Sequence, residues 1–197
     1  MDKQAALAKL VEDVENLTTA PLYAYREANR YRAVIGEGDL DAQLMFIGEA
    51  PGEWEAKQGR PFVGASGKVL DELLSGIGLR RQEVYITNVV KDRPPKNRNP
   101  KAEEVRLYAP FLVRQIDMIQ PRVVAPLGRF ALACVLKQLA LPTKGQTISR
   151  LHGQSLAAES SDGRVTIVPL YHPAVALYNP EQRETLQRDF QKLNDHT

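Results

Sequence analysis

The sequence of 197 residues contains one cysteine, Cys134, within the apolar segment ALACVL. A single cysteine cannot build a disulfide framework or a multi-thiolate metal site. Its apolar neighbours indicate a buried core thiol rather than a nucleophile. No run of about 18 or more apolar residues occurs, so the sequence offers no transmembrane helix.

An apolar signal core is also missing from the N-terminus, where residues of about 3–16 form an amphipathic helical pattern. We therefore expect a cytoplasmic protein without membrane contact. The 26 basic and 24 acidic side chains nearly cancel. A net charge of +2 does not decide whether nucleic acid is a partner, and the placement of the basic residues carries more information.

The fold class follows from four short apolar runs that alternate with helical patterns. The runs are residues 43–48, 84–88, 122–128 and 165–170, and the helical patterns are residues 66–75, 101–119, 129–139 and 180–193. Such runs are typical of strands that are covered on both faces. We predict an α/β protein, a three-layer α/β/α sandwich with a mostly parallel four-stranded central sheet, in a single domain over residues 1–197.

Ligands of open α/β sheets bind beyond the carboxyl ends of the strands. The segments that follow the predicted strands are GEAPGEWE, NVVKDRPPKNRNP, GRFA and YHPAVALYNP. Unusual residues concentrate in three of these four segments. The sequence therefore predicts one composite site at this edge of the sheet.

The first segment brings three carboxylates together, those of Glu49, Glu53 and Glu55. Such a cluster can position a water molecule or act as a general base, and a solvated acidic loop is the alternative interpretation. Phe62 follows on a proline turn. Residues 64–67 (GASG) then open a helix whose free N–H groups suit a phosphate. Because no Lys-Ser/Thr pair follows at the required position, the P-loop pattern fails.

Asn88 and His172 each stand at or just beyond the end of a predicted strand. The Asn88 amide offers one acceptor and two donors, which matches the Watson–Crick edge of a pyrimidine. His172 precedes Pro173, is therefore held extended, and would project into the crevice. A turn asparagine and a structural histidine are the alternative interpretations.

A stiff basic loop covers about residues 91–101, where Pro94 and Pro95 limit its freedom. We expect Lys91, Arg93 and Arg98 to contact a phosphate backbone, and a solvated surface loop is the alternative.

Three segments, GEAPGEWEAKQGRPFVGASGKVLDELL, VYITNVVKDRPPKNRNP and YHPAVALYNP, resemble the motifs of the family 4 uracil-DNA glycosylases. The similarity covers about residues 21–193. It implies a uracil-DNA glycosylase-like fold and hydrolysis of the N-glycosidic bond of deoxyuridine in DNA, which releases uracil and leaves an abasic site. The implied partner is uracil-containing DNA, single- or double-stranded, and we expect a monomer.

The resemblance also implies roles for individual residues. Phe62 matches the aromatic on which a flipped uracil stacks, Asn88 the reader of the uracil edge, and His172 the histidine that stabilises the departing uracil anion. Glu49 and Glu55 match the acidic positions of the first motif, and Glu55 is the better candidate for aligning water.

Further contacts are implied around these positions. Substrate contacts are expected at Ala50, Pro51 and Gly52; DNA contacts are expected at Ser66, Gly67, Pro173 and Leu177.

Two departures from the family stand out. Members bind an iron–sulfur cluster through cysteines, but the corresponding positions here are Leu17, Ala20, Asp92 and Tyr108. We therefore expect no metal and no other cofactor; apolar packing would replace the cluster, and Asp92 would pair with a basic neighbour or cap a turn. Tyr178 stands where an arginine is usual. These departures leave two alternatives open, a non-catalytic uracil- or DNA-binding protein and a glycosylase for hypoxanthine or xanthine.

Overall fold

The computed structural model describes residues 2–160 and 163–196. The α-helices are α1 (Lys3–Glu15), α2 (Tyr23–Ala28), α3 (Glu53–Gln58), α4 (Ala65–Gly76), α5 (Ala102–Ile119), α6 (Arg129–Gln138), α7 (Ile148–Leu151) and α8 (Pro180–Gln191). The strands are β1 (Glu37–Gly38), β2 (Leu44–Gly48), β3 (Tyr85–Asn88), β4 (Val123–Pro126), β5 (Leu156–Ser160) and β6 (Gly163–Ile167). Short 3-10 helices cover Arg81–Glu83, Pro95–Asn97, Pro173–Leu177 and Lys192–Asp195. None of the helices in these ranges is long and apolar enough to cross a membrane.

The strands form one sheet in the order β1-β3-β2-β4-β6-β5. The α/β prediction is confirmed, and the four predicted strands are the parallel centre, β3-β2-β4-β6. The predicted number of strands was wrong, because β1 and β5 add antiparallel edges. β1 has only two residues, and β5 alternates between buried and exposed side chains. Neither is a continuous apolar run, so the pattern used for central strands misses both.

Helices cover both faces of the sheet. Along β2, Met45 and Ile47 face the core that includes side chains of α1, α5 and α6, whereas Leu44 and Phe46 face the core shared with α4 and α8. This alternation is the period of two expected of a strand. It produces the three layers that the sequence predicts.

The acidic segment after β2, for which a solvated loop was the alternative interpretation, forms a helix. α3 begins at Glu53 after the N-cap Gly52, and two glutamates lie in its first turn. Carboxylates at that position interact favourably with the helix dipole and the free N–H groups. As a result, Glu55 lies in the first turn of a helix rather than on an irregular loop.

Candidate active site

A cavity of about 350 Å³ opens at the carboxyl ends of β2 and β3. The cavity is lined by the three segments in which the sequence analysis found unusual residues, those after β2, β3 and β6. The lining residues are Glu49, Ala50, Pro51, Gly52, Glu55, Phe62, Ser66, Asn88, Pro94, Asn97, Arg98, Asn99, His172 and Ala174. Ten of the expected site residues therefore meet here, and Gly67, Lys91, Arg93, Pro173 and Leu177 do not.

Phe62 is held in a backbone conformation that is unusual for a bulky residue, with φ at 50°. Two side chains fix the peptides around it. The Glu55 carboxylate accepts hydrogen bonds from the N–H groups of Val63 at 2.9 Å and Gly64 at 2.8 Å. From the other side, the Arg81 guanidinium donates to the carbonyl of Pro61. The backbone at Phe62 is thus held from both sides.

Gly48 leaves room for the side chains of Asn88 and Phe62 to lie close to each other. A Cβ at this position would lie 2.3 Å from Asn88 Oδ1 and 2.7 Å from the Phe62 ring. Among the described residues, no hydrogen bond engages the Asn88 side-chain amide, although the residue is only 2% exposed. Its donors and acceptor are available to a ligand stacked on Phe62.

His172 begins the 3-10 helix Pro173–Leu177, and its Nδ1 accepts a hydrogen bond from the Ala174 N–H at 3.2 Å. Burial lowers the pKa of His172 to about 4, and the charge of Glu55 opposes this shift. The imidazole is therefore neutral near pH 7. Because Nδ1 accepts, the proton lies on Nε2. The ring lies 5.6 Å from that of Phe62, at an interplanar angle of 28°.

The two carboxylates in the cavity, Glu49 and Glu55, differ in the hydrogen bonds that they accept. Oε1 of Glu55 accepts the two backbone N–H groups described above. In the described part of the chain, no hydrogen bond reaches the Glu49 carboxylate. Burial raises the pKa of Glu49, and the charge of Arg129 opposes this shift. Among the described residues, both oxygens of Glu49 are thus without a hydrogen bond, whereas one oxygen of Glu55 is engaged.

The prediction that Lys91 contacts a phosphate backbone is wrong. Its side chain is fully buried, and Nζ donates to Thr87 Oγ1, the Asn88 carbonyl and Gln115 Oε1. A cation with no exposed surface cannot reach a DNA backbone. The length and charge of lysine suggested a surface position, and the sequence carried no signal for the buried acceptors.

Arg93 is also mostly buried, at 7% exposure. It is therefore not the accessible cation that was expected to contact a phosphate backbone. Its guanidinium donates to Tyr31 Oη at 2.5 Å, Asn97 Oδ1 at 2.8 Å and Glu53 Oε2 at 3.1 Å. Arg98 lines the cavity and pairs with Glu104. Arg93 thus shapes the loop from inside, and Arg98 is the basic side chain left at the cavity.

Two further expected DNA contacts are corrected by burial. Gly67 donates its N–H to the Gly64 carbonyl at 3.0 Å, and a Cβ there would lie 1.9 Å from the Phe62 carbonyl oxygen. Gly67 therefore provides room for Phe62 instead of an N–H for phosphate. Pro173 is buried at the start of its turn. Leu177 is 40% exposed and Tyr178 is 87% exposed, at the end of the same turn.

Comparison with known proteins places this geometry in a family. A family model described as the uracil DNA glycosylase superfamily matches residues 35–196. The type-4 uracil-DNA glycosylase of Archaeoglobus fulgidus is 46% identical over 162 residues, which cover 82% of this chain and 80% of that protein. The type-4 enzyme of Sulfurisphaera tokodaii is 41% identical over 191 residues, 96% of this chain and 84% of that protein.

The chain belongs to the type-4 uracil-DNA glycosylases. A bacterial relative supports the same assignment, since the type-4 enzyme of Thermotoga maritima is 40% identical over 186 residues, 92% of this chain and 89% of that protein. The resemblance inferred from the three motifs is confirmed.

The type-4 family implies an iron–sulfur cluster, and the residues at its ligand positions do not fit one. Asp92 accepts hydrogen bonds from Tyr108 Oη at 2.5 Å and from Arg26 Nη1 at 3.2 Å. Ala20 and Tyr108 are buried in the core, and Leu17 packs against it. A phenol, a carboxylate and a guanidinium in direct contact leave neither thiolates nor room for iron and sulfide. The expectation that Asp92 pairs with a basic residue is confirmed.

Sequence reasoning missed Arg26 and Arg81 as residues that organise this region. Arg26 also donates to the Glu15 carbonyl at 2.6 Å and thereby ties α2 to the end of α1. Its signal was indirect: an aspartate at a ligand position requires a buried cation elsewhere in the chain. For Arg81 no local pattern exists, because its acceptor at Pro61 is 20 residues away.

Proposed function

We propose that this protein is a monofunctional glycosylase that hydrolyses the N-glycosidic bond of deoxyuridine in DNA, releasing uracil and leaving an abasic site. The observation that carries the proposal is the convergence of Phe62, Asn88 and His172 on one cavity. A stacking ring and an edge-reading amide can bind a flipped pyrimidine, and a neutral imidazole can stabilise its departing anion. The relatives named as uracil-DNA glycosylases support it.

Recognition requires the target nucleotide to leave the base stack, which costs a few kcal/mol and less for a mismatched base. Stacking on Phe62 returns about 1–3 kcal/mol. Because the backbone at Phe62 is fixed by Glu55 and Arg81, little ordering of the ring remains to be done on binding. Asn88 pairs with O4 and N3–H of the uracil.

Bond cleavage places negative charge on the departing base and positive charge on the sugar. His172 donates its Nε2 proton in a hydrogen bond to O2 of the uracil, a geometry that the Ala174 N–H to Nδ1 contact enforces. A preorganised donor aimed at a developing anion stabilises the transition state without reorganisation. The carboxylates and the DNA phosphates favour the sugar cation.

Glu49 aligns the attacking water in this proposal. The sequence favoured Glu55 for that role, but Oε1 of Glu55 is engaged by the backbone of residues 63 and 64. Both oxygens of Glu49 can accept from water. No Schiff base is proposed, so strand cleavage is not expected.

DNA contacts outside the cavity are proposed for Ser66, Arg98 and Leu177. Ser66 lies in the first turn of α4 and lines the cavity. Leu177 and the neighbouring Tyr178 present exposed apolar surface at the end of the histidine turn. We further propose that the protein works as a monomer in the cytoplasm and without a cluster or metal.

The test is release of base from labelled oligonucleotides that each contain one uracil, hypoxanthine or xanthine, in single strands and opposite guanine. Uracil should be released, and His172→Ala or Asn88→Ala should each lower the single-turnover rate by about 10²–10³-fold, because each removes a hydrogen bond to developing charge or to the base edge. His196→Ala, outside the cavity, should match the wild type.

Two results would count against the proposal. Tight binding of uracil-containing DNA without release favours a non-catalytic binding protein. Release of hypoxanthine or xanthine with uracil left intact favours another base specificity on the same site.

A further inference from the structure

Lys91 is the basic residue nearest in sequence to the uracil-reading Asn88, and it lies entirely inside the protein. Its Nζ donates to the Asn88 carbonyl at 2.7 Å, Thr87 Oγ1 at 2.8 Å and Gln115 Oε1 at 2.5 Å. Three short acceptors match the three N–H donors of an ammonium group. The carbonyl of Ile35 lies further away, at 3.5 Å.

The acceptors around Lys91 are oriented by their own hydrogen bonds. The Thr87 hydroxyl donates to the Ile35 carbonyl at 2.5 Å, so that its lone pair faces Nζ. Gln115 Nε2 donates to the same carbonyl at 2.9 Å and to Tyr85 Oη at 3.0 Å, which directs Oε1 at Nζ. A neutral amine would turn its lone pair towards one of these oxygens. The arrangement is therefore built for the charged form.

No carboxylate balances this charge within the described part of the chain. The titratable groups that face Lys91 from β3 and α6 are Tyr85 and Cys134. Burial raises the pKa of Tyr85 to about 12 and that of Cys134 to about 11, so both are uncharged near neutral pH. A buried charge without a counter-ion is costly to keep, and packing alone would favour an apolar residue here.

The position of the charge suggests what it does. Lys91 binds the main-chain oxygen of Asn88, whose side-chain amide opens into the cavity. The ammonium thus binds the main chain of the residue whose side chain, in the proposed mechanism, contacts the base that becomes negatively charged. In a water-excluded site such a charge acts more strongly than it would at the surface.

We propose that Lys91 is a positioning residue of the glycosylase, whose buried ammonium fixes the main chain of Asn88 and whose charge stabilises the anionic base as it leaves. This inference rests on the proposed function. It replaces the phosphate contact that the sequence suggested with a role inside the fold.

The charge state of Lys91 gives the inference a measurable signature. Burial lowers the pKa of Lys91 from 10.5 to about 7. Since the charged form is the supporting one, activity should decline as the pH rises through this value. DNA phosphates near the site raise the pKa, so the decline in the bound complex should lie at or above that of the free protein.

The experiment compares wild type, Lys91→Met, Thr87→Val and the exposed control Lys137→Met by single-turnover uracil release between about pH 5 and 9. Lys91→Met should lower the rate by about 10- to 100-fold near pH 6 and remove the alkaline decline. Thr87→Val, which deletes one acceptor, should move the decline to lower pH. The DNA dissociation constant and its salt dependence should stay near wild type in all variants.

A second measurement does not depend on the fold of the variants. NMR of wild-type protein labelled at the lysine ε-carbon should show one lysine that titrates near neutral pH, well below the other lysines. The inference is overturned if this NMR measurement shows the Lys91 amine already uncharged near pH 6, if Lys91→Met keeps the wild-type rate and alkaline decline, or if its loss lies in DNA affinity and salt dependence. Wild type that releases no uracil at any pH overturns the proposed function and this inference together.

Discussion

Phe62 shows how single residues prepare the cavity. A non-glycine residue at φ 50° costs about 1–3 kcal/mol and persists only where its surroundings impose it. Glu55 binds the N–H groups on one side, and Arg81 binds the carbonyl on the other. In the proposed mechanism the two cavity glutamates therefore have separate tasks: Glu55 holds the backbone beside Phe62, and Glu49 aligns water.

Isosteric amides should separate these tasks. Glu49→Gln removes the base that aligns water, and the single-turnover rate should fall by about 10²-fold or more while the melting temperature stays near wild type. Glu55→Gln replaces charged acceptors by neutral ones, and the free energy of unfolding should fall by about 1–2 kcal/mol with weaker uracil-DNA binding. Glu49 then has the larger rate effect and Glu55 the larger stability effect; the reverse pattern would refute the assignment.

The pH profile gives an independent check of Glu49. Burial raises the pKa of Glu49 above its ordinary value of 4.5. In the proposed mechanism the ionised form is the one that aligns water. The wild-type rate should therefore decline as the pH falls through a value above 4.5. In Glu49→Gln that decline should move down to about 4, where His172 takes up a proton and Nδ1 can no longer accept from Ala174.

The site residues that the sequence could predict are those that stand at the ends of predicted strands. Asn88 and His172 stand at strand ends, and topology brings strand ends together. Lys91 could not be predicted, because its acceptors on Thr87 and Gln115 come from two elements and only the folded chain assembles them. The choice between Glu49 and Glu55 likewise depended on backbone groups of residues 63 and 64.

At the scale of elements, the close approach of α4 to the segment before it decides where Phe62 can lie. Gly67 packs directly against the Phe62 carbonyl, whereas a Cβ added to Gly76, at the other end of the same helix, would meet no atom within 4 Å. The helix thus contains one glycine required by packing and one that is not.

Alanine at each glycine should give opposite results. Gly67→Ala would place its Cβ 1.9 Å from the Phe62 carbonyl, so Phe62 or α4 must shift, and both stability and uracil-DNA binding should fall. Gly76→Ala should raise the free energy of unfolding by about 0.5–1 kcal/mol with unchanged activity, because alanine has the better helix propensity. Thermal melts and single-turnover rates check both variants. Equal effects of the two substitutions would mean that Gly67 has no special packing role.

The elements that sequence patterns predicted are those buried on both faces or strongly amphipathic. Central strands and the long α5 helix fall in this class. The edge strands β1 and β5 escaped because one is two residues long and the other mixes exposed Ala157 and Glu159 with buried Ala158. α3 escaped because Pro51 and Gly52, which directly precede it, suggested a loop, although helices tolerate glycine at the N-cap.

At the scale of the whole molecule, a buried polar network occupies the region where the family implies a cluster. Arg26 on α2, Asp92 in the basic loop and Tyr108 on α5 contact one another, and Arg26 reaches the carbonyl of Glu15. The three segments that thiolate–iron bonds would hold are held here by a carboxylate shared between a guanidinium and a phenol. Burial raises the pKa of Asp92, and the Tyr108 hydrogen bond and the Arg26 charge oppose the shift.

Purified protein should therefore be colourless, contain no stoichiometric iron and keep full activity after incubation with a chelator, because the contacts that join these segments involve no metal. Arg26→Met leaves Asp92 buried without its cation and should lower the free energy of unfolding by about 3–5 kcal/mol. Arg114→Met, which breaks an exposed pair with Asp13, should change it by less than about 1 kcal/mol. Elemental analysis measures the iron content, and denaturant unfolding measures the free energy of unfolding of the two variants. One cluster's worth of iron per chain, or an Arg26→Met variant as stable as the control, would show that the network does not hold these segments.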